Sequence, residues 1–325
     1  MKLLLSVITI CLGLSMATAL SASGADYAVI PPNKDSDLKL YLSDGTLLQG
    51  KAALARMPED ADIILWLAGN QFFAMDDVIA AFRKTRPATS VGLITLPPGL
   101  LLDAILKGGW IYEQTNYPGL PDVYASVNLG HLKQLKAKGL MQSHMIYMHN
   151  ELQLMVAKGN PKSIKGIADL ARQDVRTSMP NPVNEGIMQF YGRKVLEHNG
   201  LWPTIAANKE CIACQTTERN WFTAVHHRET PDRIKSGLSD TGFVWRTEVL
   251  AAQRSGASIE GITLPVKDSM RDEVSYAIGA LTNSPRQPLA LAYLSFLATD
   301  DAQETYAKYG FVKASSIELL SKPIP

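Results

Sequence analysis

Ala61-Asp62-Ile63-Ile64-Leu65-Trp66-Leu67-Ala68-Gly69-Asn70-Gln71-Phe72-Phe73-Ala74-Met75-Asp76-Asp77-Val78-Ile79-Ala80-Ala81-Phe82 is the stretch that decides the fold. Ile63 to Leu67 is an uninterrupted apolar run, the pattern of a parallel strand buried on both faces. It breaks at Gly69-Asn70, after which Phe72, Met75, Ile79 and Phe82 recur at the spacing of one helical face. A strand that feeds directly into a helix points free backbone N–H groups at the space above the sheet, a ready place for an anion or a polar ligand head.

The pattern repeats downstream. Ser90 to Leu96 reads as a strand ended by Pro97-Pro98-Gly99, with a helix from Leu100 to Lys107. Val123 to Val127 reads as a third strand, followed by a helix marked by Leu129, Leu132 and Leu135. Three βα units in succession predict an α/β protein whose turns share the carboxyl edge of a parallel sheet, where such sheets bind ligands. Glu151 to Ala157, Val175 to Met179 and Thr241 to Trp245 are further strands. The second of these ends at Pro180-Asn181-Pro182 and leads into a helix near Asn184 that carries Ile187, Phe190, Tyr191 and Val195 on one face. Thr247 to Gln253 and Pro288 to Leu297 read as helices, and Thr299 caps a last one that ends near Tyr309-Gly310. Upstream, Pro31 to Ser36 reads as a linker, and a turn at Ser43-Asp44-Gly45 predicts a small hairpin packed on the main body.

The 325 residues, 46% hydrophobic and 19% charged, describe a globular chain long enough for two domains. Lys2, the apolar run Leu3 to Leu14 and the small residues around Ala17 to Gly24 form a signal-peptide pattern, with cleavage expected near residues 19–25. Beyond that leader, 32 − 1 = 31 basic residues balance 31 acidic ones. The balance and the lack of a basic run argue against nucleic acid and anionic membrane surfaces as partners. Cys11 falls inside the leader's apolar run, with no small residue before it, so lipid attachment is not expected. Cys211 and Cys214 remain, and in an oxidising compartment a pair this close is expected to form a disulfide. Metal binding by Cys211, Cys214, His226 and His227 is the alternative, and His131, His144 and His149 with Met141, Met145 and Met148 form a second candidate cluster. No Gly-x-Ser-x-Gly motif, phosphate-cradling loop or zinc-protease helix occurs in the chain, so neither an enzyme nor a cofactor is expected.

Five stretches, in this order and spacing, resemble the periplasmic solute-binding proteins of ABC transporters, in particular the molybdate- and tungstate-binding branch. They are Ala68-Gly69-Asn70, Asp122 to Ser126, Pro180 to Gly186, Thr241 to Trp245, and the run from Tyr276-Ala277-Ile278 through Ala290 to Leu297 to Tyr306 to Phe311. The resemblance covers about residues 61–313. It implies a two-lobed periplasmic-binding-protein fold: two mixed sheets flanked by helices, a hinge of two crossing strands, and a ligand in the cleft between the lobes. Residues 1–25 would be the signal peptide and 26–60 an N-terminal extension. Residues 61–149 and 266–325 would form a discontinuous first lobe, and 150–265 the second. Glu151 to Met155 and the segment Leu264 to Tyr276 would be the two crossings. An ABC permease would be the partner of a monomeric, periplasmic protein.

Carried over residue by residue, the resemblance places Asn70, Gln71, Gly99, Ser126, Asn181, Val183, Asn184, Glu185, Trp245 and Arg246 around the ligand. Several depart from the molybdate pattern of serine hydroxyls, helix N-termini and a tyrosine. Asn70 stands for a serine, Pro97-Pro98-Gly99 for a serine-rich turn, Asn184-Glu185 for Pro-Ala, and Trp245 for the tyrosine. A carboxylate facing a dianion must be paired or protonated, with Arg246 or Arg193 as possible partners of Glu185. The expected ligand is therefore either a small organic acid or an inorganic oxyanion. A sensor or accessory role on the same fold is the other functional reading.

Overall fold

The computed structural model describes residues 26–224 and 229–325. The leader with Cys11, and His226-His227, lie outside the described residues. The apolar run forms the strand Ile63–Ala68, every residue of it buried. It pairs in parallel with Val91–Leu96 on one side and Val123–Ser126 on the other. Antiparallel strands complete this sheet. Leu38–Tyr41 and Leu47–Gln49 lie beyond Val91–Leu96, while Ser275–Ala280, Ser143–His149 and Val312–Lys313 lie beyond Val123–Ser126. The second sheet runs Cys214–Gln215, Asn220–Phe222, Thr177–Met179, Thr241–Trp245, Leu152–Ala157, Ile259–Thr263. A three-stranded sheet joins Ala28–Val29, Gly109–Tyr112 and Thr115–Pro118.

Helices cover the sheets as the periodicities require. Met75–Arg83 buries Met75, Val78, Ile79 and Phe82, after a 3₁₀ segment Gly69–Ala74 that the sequence did not announce. Pro98–Lys107 ends at Gly108, whose φ of 80° is the left-handed cap that glycine supplies without strain. Thr299 caps Asp300–Lys308 by accepting from the Ala302 N–H at 3.3 Å. No helix among the described residues is long and apolar enough to cross a membrane.

The hairpin at 38–49 forms, with Lys39 opposite Gln49, and packs on the body by joining the large sheet, Leu38–Tyr41 pairing along Val91–Leu96. A helix, Gly50–Asp60, follows and lies so close to the sheet that a side chain at Gly92 would overlap Met57 at 2.5 Å. One expectation needs correction: Glu151–Met155 is not the crossing. Leu152–Ala157 is an interior strand of the second sheet, paired on both edges, and the chain passes between sheets at Asn150-Glu151. Asn150 ties this passage together: its Oδ1 accepts from the Glu151 N–H at 2.9 Å, and its Nδ2 donates to Thr247 Oγ1 at 3.1 Å and Tyr276 OH at 3.2 Å. The return runs from Ile259–Thr263 through the short helix Val266–Ser269 to Ser275–Ala280.

Candidate functional site

Five strands from the two sheets end at one hollow of about 530 Å³. From the large sheet, Ile63–Ala68 delivers Asn70, Val91–Leu96 delivers Pro97 to Leu100, and Val123–Ser126 delivers Val127, Asn128 and His131. From the second sheet, Thr177–Met179 leads to Asn184 through Ile187, Gln189 and Phe190, and Thr241–Trp245 ends in Trp245 itself. The helix Pro98–Lys107 begins at this hollow, as does the π-helical turn Ile187–Gly192 that continues into Arg193–His198. Helix starts carry partial positive charge, and wide π turns recur at binding sites.

Of the ten residues the resemblance put around a ligand, Asn70, Gly99, Asn184, Glu185 and Trp245 line this hollow. The other five do not. Gln71 is fully buried, its Oε1 accepting from Tyr147 OH at 3.1 Å and Tyr306 OH at 3.0 Å, so it joins the last helix to the core. Ser126 is fully buried too, and its Oγ accepts from the Asn128 N–H at 2.9 Å, holding the loop that carries His131. Asn181 shapes the Asn184-Glu185 turn from behind. Its Oδ1 accepts from the N–H groups of Val183 at 3.1 Å and Asn184 at 3.0 Å, while its Nδ2 donates to the Thr223 carbonyl at 2.9 Å. Val183 is exposed outside the hollow. Arg246 lies in a separate depression and pairs with Glu151 at 3.2 Å.

Glu185 has neither of the expected arginine partners. Arg246 is held by Glu151, and Arg193 by Glu197 and Glu210 at 2.8 Å each. Instead Glu185 Oε1 accepts from the Asn181 N–H and Nδ2, both at 3.0 Å, and from the Thr223 hydroxyl. Its Oε2 is buried with no partner among the described residues. Burial pushes the carboxyl up to about 7, against the lowering effect of the Thr223 and Asn181 bonds and with a further push from Glu248 and Glu229.

Asn128, His131, Lys34 and Pro31 also line the hollow without having been expected there. Pro31 and Lys34 come from the supposed linker, and no local pattern marks a segment that returns to a cleft through long-range pairing. Asn128 had a readable signal: it caps the helix Leu129–Ala137 by accepting from the Gly130 N–H at 2.8 Å. His131 Nδ1 lies 3.1 Å from Tyr124 OH and 3.0 Å from Ser126 Oγ. The Tyr124 hydroxyl gives its one proton to the Pro98 carbonyl at 2.8 Å, while the Ser126 hydroxyl has a proton to offer Nδ1, so these contacts fit either tautomer of the ring. Burial lowers the His131 pKa, which favours the neutral ring. Trp245 is held edge-on by Tyr191, ring centres 5.6 Å apart, and Tyr191 OH donates to the Val127 carbonyl on the opposite wall at 2.9 Å.

The metal alternatives are not supported by the side chains in view. Cys211 and Cys214 are joined in a disulfide. His149 pairs with Glu318 at 3.1 Å, and Met141, Met145 and Met148 are core residues. Among the described residues no group of three His, Cys, Asp or Glu side chains is placed to hold a metal ion.

Two mixed sheets joined by two passages, with a hollow between strand ends, define a two-lobed binding protein. The chain belongs to the bacterial extracellular solute-binding protein family, whose model matches residues 63–312. It is 25% identical over 204 residues to a sulfate-binding protein of Synechococcus elongatus, covering 58% of this chain and 57% of that one. It is 23% identical over 163 residues to a putative ABC transporter substrate-binding lipoprotein of Bacillus subtilis, covering 50% and 55%. The chain thus spans little more than half the length of these curated relatives. Among solved structures, the substrate-binding domain of a putative molybdenum ABC transporter from Clostridium difficile superposes with a TM-score of 0.61 at 17% identity, over 78% of this chain and 99% of that one. The periplasmic molybdate-binding protein of Azotobacter vinelandii gives 0.59 at 18%, over 78% and 100%. At such identities the likeness is one of fold.

Proposed function

We propose that this chain is an exported, monomeric solute-binding protein that captures a small anion in the hollow between its lobes and presents it to an ABC permease. The leader 1–25 would direct it to the periplasm. The lobes would be 61–149 with 266–325, and 150–265, and the N-terminal strands would belong to the first. The carrying observation is the convergence of strand ends from both sheets on one hollow lined by Asn70, Asn128, Asn184 and Gln189, by Lys34 and Glu185, and by helix starts. Helix N-termini favour anions without requiring a cationic side chain. The names of the sulfate-binding relative and the molybdate-binding structure support the same ligand charge.

A thermal-shift screen over oxyanions, organic acids, amino acids and divalent metals tests this reading. An anion present at about 100 times its dissociation constant should add about 2.7 kcal/mol to folding. Stabilisation by a divalent cation alone, with no response to any anion, would contradict it.

A further inference from the structure

Glu185 leaves a specific demand unmet. Its Oε1 already receives three donors from its own lobe, while Oε2 is buried without a partner among the described residues. A buried acceptor in that state is costly until a donor arrives. A fully ionised acid with no hydroxyl or amine brings only acceptors to this oxygen. At about 530 Å³, with Leu100, Phe190 and Trp245 in its wall, the hollow also exceeds a bare tetrahedral oxyanion and suits an organic body.

We propose that Glu185 is the specificity-determining acceptor of the hollow, selecting an organic acid that carries a hydroxyl or amine donor beside its carboxylate over acids that lack one. This rests on the capture of an anion in the hollow. Lys34 and His131 line the same hollow, and Glu229 and Glu248 act on Glu185 from its own side. Burial lowers the His131 pKa and lifts that of Glu185 to about 7, so Glu185 is the group in the hollow whose charge changes just above the ordinary histidine range.

The test uses matched pairs of monoanions differing by one hydroxyl: lactate against propionate, and glycolate against acetate. Dissociation constants are measured for wild type and Glu185→Gln. The Gln amide keeps an oxygen for Asn181 and Thr223 and replaces the free acceptor by a donor. At about pH 8.5 the wild type should favour the hydroxylated member of each pair by about tenfold or more. Glu185→Gln should cut that ratio about tenfold, and wild type at about pH 5.5, with Glu185 protonated, should lose it likewise. The wild-type pH series decides alone if the variant does not fold. Equal binding within both pairs at the higher pH, or a ratio indifferent to both pH and the substitution, overturns the assignment while leaving the hollow as the site. If no member binds, or Trp245→Ala leaves binding untouched, the reading of the hollow falls with it.

Discussion

Glu185 shows how one side chain couples stability to recognition. Burial in the folded protein lifts the carboxyl pKa to about 7, whereas an unfolded chain releases the proton near the ordinary glutamate value of 4.5. Between those values the folded state binds more protons, so this group's contribution is complete below the unfolded value and is lost as pH rises through the folded one. Urea denaturation should therefore show wild type losing stability relative to Glu185→Gln between about pH 5 and about pH 8, by about 3 kcal/mol at most. Parallel pH profiles for the two proteins would show that the carboxyl is not held protonated by the fold. The sequence made Glu185 legible as an anomaly, a carboxylate where an anion is expected. It did not reveal that Asn181 and Thr223, rather than an arginine, satisfy it, because Thr223 lies just past the strand Asn220–Phe222, 38 positions away. Gln71 was misplaced for a similar reason: its neighbour Asn70 reaches the hollow, but a 3₁₀ turn rotates Gln71 into the tyrosine cluster behind it.

Elements with continuous apolar runs were readable almost to the residue. Ile63–Ala68 and Thr241–Trp245 are buried along their whole length, and burial on both faces needs no alternation to be recognised. Gly50–Asp60 escaped because its first residue is a glycine at φ 59° and Pro58 interrupts its last turn, so both ends carry residues that ordinarily break helices. Glycines inside strands mark close approach instead. A Cβ at Gly242 would lie 1.9 Å from the Ser178 carbonyl oxygen and 2.8 Å from the Thr230 methyl group, where neither neighbour can yield cheaply. Gly242→Ala should cost about 3 kcal/mol or prevent folding, while Gly166→Ala, with open space around its Cβ, should cost less than about 1 kcal/mol in the same urea titration. Equal, small effects at both positions would mean that the Thr177–Met179 and Thr241–Trp245 strands are not packed as described.

At the scale of the whole molecule, the described chain passes between the two sheets at Asn150-Glu151 and along the segment between Thr263 and Ser275, and the Tyr191 hydroxyl bridges the walls by donating to the Val127 carbonyl. Asn150, bonded to Thr247 on one side and Tyr276 on the other, ties the two sides together at the first passage. A ligand that touches both walls stabilises the closed arrangement by its differential affinity. Saturating ligand should therefore reduce the radius of gyration measured by small-angle scattering, and an unchanged value would leave the hollow a rigid site. Which strand pairs with which across more than a hundred residues was legible only through the family resemblance, since pairing partners leave no mark in local periodicity. The most direct test of the central claim is calorimetric titration of the best-binding anion into Asn70→Ala and Trp245→Ala, one from each wall. Each variant is expected to weaken binding about tenfold or more, and Trp245→Ala, which empties a buried site, is also expected to melt at a lower temperature. Wild-type affinity in both would contradict the claim that the ligand is held between the lobes.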